Sequence, residues 1–285
     1  MKIERLEQLK TIAGNLTGKK KTNALALIEL MGSVIEGLDD KPIEWYPDTL
    51  KLVQGVSDRS KLPKEAIVGS FVIGQTILPQ PLDVIPILTY NTRQYWTPNQ
   101  DEARMLCSSP NGEFGYVYGD CRKCEFGKFS EEQRAQCNKT ITALVITVNF
   151  DRIFRIVFAK SNYANGMELK KLIRESRTNT YNKSYRLTAV GSKKAKNVEV
   201  INVENYDNSI LTGADLEFTK ELYRLSKEDR DAQLAGFIKY INDKDERLAL
   251  ESRTGNGASR LVEIIPAAEA AEAAAVNMSN KYEMR

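Results

Sequence analysis

The 285-residue chain contains no histidine. The commonest general base is therefore absent, and so is the usual nitrogen ligand for zinc. A phosphate-cradling G-x4-G-K-[ST] loop, the G-x-S-x-G elbow of a hydrolase and the H-E-x-x-H of a zincin are missing as well. Carboxylates are plentiful, but no D-x-D or E-x-x-E constellation stands out from the surface charge. These absences weigh against an enzyme, and a nuclease built on scattered Asp and Glu is the one catalytic alternative left open. Long apolar runs are scarce too: those such as Ala143-Leu144-Val145-Ile146 are far too short to span a membrane. The start, Met1-Lys-Ile-Glu-Arg-Leu-Glu, lacks the apolar stretch of a signal peptide, so a reducing cytoplasm is the expected compartment.

Cysteine is nearly absent, and what there is lies in one window: Cys107, Cys121, Cys124 and Cys137, spaced C-x13-C-x2-C-x12-C. A C-x2-C knuckle lets two thiolates converge on one ion, and two flanking cysteines complete a tetrahedron. Four protein ligands leave no open position for catalytic water, so the expected metal is a structural zinc. Two disulfides, an iron–sulfur cluster or four buried thiols are the competing readings. Turn-forming residues suit a small metal loop: Ser108-Ser109-Pro110-Asn111-Gly112, then Gly115, Gly119 and Gly127.

The net charge of +3 conceals an asymmetry. Residues 139–196 carry thirteen bases against three acids, whereas the segment from 197 onward carries eleven against seventeen. A basic middle followed by an acidic end is the pattern of a polyanion binder; a solvated surface with chance clustering is the plain alternative.

Hydrophobic periodicity outlines an α+β chain. Residues 1–66 read as a helical N-terminal region, broken at Gly14-Asn15-Leu16-Thr17-Gly18, then polar and turn-rich after residue 38. Strands are expected over Ile85 to Trp96, Thr140 to Asn149, Arg152 to Ala159, Tyr181 to Val190 and Asn197 to Tyr206, with a helix from Gly166 to Arg177. Prolines at 79, 81 and 86 argue against a central strand through them. Five or six strands and one helix between residues 67 and 210 suggest an OB-like small β-barrel with an inserted four-cysteine zinc loop, 107–137, flanked by N- and C-terminal helices. Residues 211–250 read as a helical segment and 251–285 as a flexible tail.

The window Cys107-Ser-Ser-Pro-Asn-Gly-Glu-Phe-Gly, then Gly119-Asp-Cys-Arg-Lys-Cys-Glu-Phe, then Cys137-Asn-Lys resembles a recurring bacteriophage pattern. It is found in a group of phage proteins usually described as single-stranded DNA-binding, in which two hydrophobic strands follow the last cysteine. The resemblance covers about residues 67–206. Glu125 departs from it, standing where a proline commonly follows the second knuckle cysteine. What the resemblance implies is a replication or recombination protein with a zinc-stapled OB-like core, working in the host cytoplasm.

Single-stranded DNA is held by cations that track phosphates and aromatics that stack on bases. The candidates interleave both types: Arg93 and Tyr95; Arg122, Lys123 and Lys128 in the cysteine loop; Arg152, Arg155 and Lys160; Lys170, Lys171 and Arg174; Tyr181, Lys183, Tyr185 and Arg186; and Lys193 and Lys194 in the hairpin loop. Strand alternation puts Arg93 and Tyr95 on one face, with Gln94 and Trp96 on the other, and groups Tyr181, Lys183 and Tyr185. Trp96, Phe154 and Phe158 are expected in the core. The acidic C-terminal region suggests a contact for replication or transcription proteins. An accessory factor that mainly binds a polymerase, or an assembly protein that uses zinc for stability alone, are the other classes of function.

Overall fold

The computed structural model describes residues 3–32, 47–96, 105–128, 135–192, 198–206 and 210–253. It is a mixed α and β protein whose chain divides into two compact units, 1–90 with 140–230, and 91–139 with 231–285. Among the described residues no helix is long and apolar enough to cross a membrane.

The first unit is built on a curled sheet. Its strands are β1 (Thr49–Leu52), β2 (Phe71–Ile73), β3 (Thr76–Leu78), the first part of β4 (Leu82–Trp96), most of β8 (Cys137–Thr147), β9 (Ile153–Phe158), β10 (Tyr185–Gly191) and β11 (Glu199–Asn205). They pair in the order β11-β10-β4-β8-β9-β1-β2-β3. All characterised registers are antiparallel except that of β1 on β9, where Thr49 lies opposite Arg155. The β4 strand runs through Pro86, as the strand expected from Ile85 to Trp96 did, and begins three residues earlier. The Asp83 carbonyl accepts from Val148 N on the β8 side, so the backbone groups of even-numbered residues face β10. The last β4 residue paired with β10 is Val84, so the missing N–H of Pro86 removes no ladder bond.

One end of the curl is stitched by side chains. The Gln54 amide donates to the Glu199 carbonyl (2.9 Å) and accepts from Glu199 N (2.9 Å), tying the segment after β1 to β11. Gln80 does likewise, accepting from Ala189 N (2.8 Å) and donating to the Gly69 carbonyl (2.6 Å). Each amide copies the donor–acceptor pair of a strand residue.

Alternation along the strands makes two cores. Leu82, Val84, Ile141, Ala143, Val145, Phe154, Ile156, Phe158, Tyr185, Leu187, Ile201 and Val203 point inside the curl, beneath α3 (Tyr163–Glu175). On the outer face Ile85, Ile87, Leu144, Ile146 and Ile153 pack under three helices: α1 (Ile3–Gly14), α2 (Gly18–Gly32) and the start of α4 (Gly213–Arg253). The i, i+3, i+4, i+7 set Ala24, Leu27, Ile28 and Met31 gives α2 its apolar stripe. Phe218, Leu222 and Leu225 do the same for α4. Residues 140–147 are thus buried on both faces, the usual meaning of a near-continuous apolar run. The N-terminal helices share a core with the sheet.

One buried charge locks this helical layer. Glu221 of α4 is 2% exposed and accepts from Arg5 of α1 (3.5 Å) and Arg224 (3.2 Å). Replacing Glu221 by alanine removes a satisfied acceptor and leaves two half-exposed guanidinium groups. The expected cost is about 1–3 kcal/mol, read as a lower urea midpoint; an unchanged midpoint would show the pair to be energetically idle.

The second unit holds the end of β4, β5 (Met105–Ser109), β6 (Phe114–Gly115), β7 (Gly119–Asp120) and the start of β8. Here β4 pairs antiparallel with β5, Tyr95 lying opposite Cys107. Phe237 of α4 packs edge-on against Tyr116 within the same unit (4.4 Å).

Candidate metal and nucleic-acid site

The cysteine loop folds through side-chain caps. After Pro110 the Asn111 Oδ1 accepts from Glu113 N (2.9 Å) and Phe114 N (3.0 Å), and Gly112 takes a φ of 77° that turns the chain back. Asp120 shapes the knuckle. Its carbonyl accepts from Lys123 N and Cys124 N (both 3.1 Å), and its carboxylate accepts from Arg122 N (2.9 Å) and the Arg122 guanidinium (3.1 Å). Those hydrogen bonds hold the Asp120 carboxyl below its ordinary range.

All four cysteines are free thiols, and all four line one cavity of about 10 Å³. A space of that size admits one water-sized guest. Arg93, Tyr95, Ser109, Tyr118 and Phe126 complete its wall. Tyr95 stacks on Phe126 (4.5 Å, 19°), with Tyr118 tilted against both. The approach is close: a β-carbon on Gly115 would come within 2.7 Å of Cys107 Sγ. Among the described residues, however, no three His, Cys, Asp or Glu side chains are drawn together as a ready metal-binding group.

Burial, above all, raises the Cys121 and Cys137 thiols, the latter to about 11, and the neighbouring thiols add to the rise while Arg93 opposes it. These two thiols are protonated at neutral pH, the opposite of an activated nucleophile. A cation in the cavity reverses that balance, because the ion's charge stabilises thiolate. By its chemistry alone, four sulfurs and no histidine, the set is one that structural zinc takes.

The expected DNA contacts divide. Arg122, Lys123, Lys128, Arg152, Lys160, Lys171 and Arg174 are exposed, although Arg122 is engaged by Asp120 and Lys171 by Glu168 (3.1 Å). Lys170 and Lys183 are half-buried, and burial lowers the Lys170 ammonium. Arg155 donates to the Pro47 carbonyl (2.9 Å), and Arg186 is held by both oxygens of Asp83 (2.7 and 2.9 Å) over the Tyr206 ring, so both serve the sheet. Lys193 and Lys194 lie outside the described residues.

The three tyrosines are corrections. Tyr185 is 1% exposed inside the curl, Tyr181 is 8% exposed beside Tyr223 in a short helical turn before β10, and Tyr95 is 6% exposed in the cavity wall. None offers a face to a base. Arg93 is also corrected, since it shares the cavity face with Tyr95 as the alternation predicted. Trp96 is a correction in the other direction: it is 39% exposed, whereas Phe154 and Phe158 are fully buried as expected. Tyr118, which the sequence marked only as one of the aromatics within the cysteine loop, is 43% exposed.

Compared with protein family models, with curated proteins and with solved structures, the chain matches none.

Proposed function

We propose that the protein binds single-stranded DNA without sequence preference, as a coating protein of phage replication or recombination, and that its four cysteines hold a structural zinc. It acts by binding and not by catalysis. The strand connectivity carries this reading. A meander β4-β8-β9, a helix α3, then a hairpin β10-β11 whose first strand returns to β4 is the strand plan of an OB barrel. The short β1 lies parallel to β9, where a fifth strand would close such a barrel. In that plan the cysteine segment is the connection after the first strand, one of those that OB folds use to grip oligonucleotides.

The face of the second and third strands, the other usual contact surface, is partly taken by α1, α2 and α4 over Leu144, Ile146 and Ile153. The cysteine segment therefore carries more of the binding here. In the second unit Trp96 and Tyr118 supply exposed rings, and Lys123 and Lys128 supply cations.

The test is fluorescence anisotropy of a labelled oligo-dT with the zinc-loaded protein at low and physiological salt, with duplex as competitor. Expected is tight binding that prefers single strands and falls steeply with salt. Trp96→Ala and Tyr118→Ala should each weaken it by about tenfold, since a stacked base contributes about 1–3 kcal/mol. Tyr185→Phe should leave it unchanged. No binding at low salt would overturn the reading.

A further inference from the structure

We infer that Arg93 is the counter-ion of the cysteine site: its guanidinium, turned into the cavity, offsets the negative charge that four thiolates around a divalent ion leave there. The inference rests on the zinc reading above and adds a residue outside the ligand set.

When four thiols take up one zinc ion, four protons leave to solvent, and the assembled group carries two negative charges. In a small and largely apolar enclosure that charge is poorly solvated. A cation fixed within a few ångströms recovers part of the loss. Arg93 is placed for this. It lies on β4 two residues before Tyr95 and on the same face, so the alternation that brings Tyr95 into the wall brings Arg93 in too. Its partner across the ladder is Ser109, which is buried beside Cys121. The Arg93 Nη1 comes within 3.0 Å of where a β-carbon on Gly127 would lie, and the Cys121 carbonyl within 3.3 Å of the same point. Thus Gly127, directly after the knuckle, leaves the space the guanidinium occupies.

Two further observations agree. Among the described residues Arg93 has no carboxylate partner, although it is half-buried. A half-buried guanidinium is costly unless an anion accompanies it. It also lines the same cavity as Cys121 and Cys137, two cysteines sixteen residues apart in the loop.

The experiment uses the full chain with zinc as the probe. Zinc content and affinity are measured by competition with a chromophoric chelator for the wild type, Arg93→Met and Arg93→Lys, with the cobalt–thiolate absorption band as a check that the site assembles. Arg93→Met should lose about 10- to 100-fold in zinc affinity, the range seen when an outer-shell partner of a metal site is removed. Arg93→Lys keeps the charge and should recover most of it, which a purely space-filling role would not produce. Oligo-dT affinity of zinc-saturated Arg93→Met should stay within about twofold of wild type, since no phosphate contact is lost. An Arg93→Met protein that holds zinc as tightly as wild type overturns the inference, as does an Arg93→Lys protein that fails as badly as Arg93→Met. A wild type that takes up no zinc overturns the zinc reading itself, a result visible before any variant is made.

Discussion

Replacing Gly166 by alanine is expected to destabilise the protein, although the same change in an exposed helix would stabilise it by about 1 kcal/mol. Gly166 lies in the first turns of α3, buried against β8 and β9. A β-carbon there would come within 2.6 Å of Phe158 Cβ, 2.8 Å of Phe158 Cγ and 3.2 Å of Ile141 Cβ. None of these atoms is the free end of a flexible chain: Phe158 and Ile141 are fully buried on strands whose register is fixed. The helix must move away from the sheet, and Leu169 moves with it. Overpacking of this kind costs about 1–3 kcal/mol, enough to outweigh the gain in helix propensity. Valine, larger and β-branched, should cost more than alanine. Thermal or urea unfolding of Gly166→Ala and Gly166→Val, compared with an exposed control such as Gly236→Ala, gives the answer. A Gly166→Ala protein more stable than wild type would mean that α3 is not seated as closely as described.

Removing the zinc proposed for the cysteine cavity should have the larger local effect. The wall of that cavity has little apolar mass of its own, chiefly the rings of Tyr95, Tyr118 and Phe126. Small zinc-bound elements draw about 10–16 kcal/mol of apparent folding energy from the metal, as much as a whole domain's net stability. With excess chelator, or with Cys121→Ser, amide exchange across residues 105–128 should become fast, while strands 141–146 and 153–158 keep their protection. Because metal competes with protons for thiols whose proton affinity burial has raised, zinc should leave progressively as the pH falls. Unchanged exchange in the chelated protein would show that the loop stands without an ion.

The helices and long strands were legible because each carries a strong period. The break at Gly14–Gly18 and the β8 and β9 pair around Phe150 fall where the sequence placed them, and so does the β10–β11 hairpin, except that β10 begins at Tyr185 and Tyr181 lies in a short helical turn before it. By contrast, β1 was invisible. Thr49-Leu-Lys-Leu is too short to show a period, and its pairing with β9 is a long-range event. The faces of the aromatics were misread for a physical reason. Lys183 beside Tyr181 and Tyr185 suggested a wet surface, but the decisive neighbours were downstream: Tyr185, Leu187 and Ala189 share a parity and point inward, while Arg186 and Thr188 point out. For Tyr95 the signal lay across the ladder, in Cys107. A tyrosine opposite a cysteine of the cluster belongs to the cluster's wall.

The two glutamines at the seam of the curled sheet change what that margin offers to other chains. An uncovered strand border is a template for a stranger's backbone, and it invites edge-to-edge growth. Here the Glu199 N–H and carbonyl, and the Ala189 N–H, are already spoken for by Gln54 and Gln80. Two amide side chains thus act as permanent dummies, filling sockets that a second protein molecule would otherwise plug into. Crowding many copies together then need not lead to fusion of their sheets.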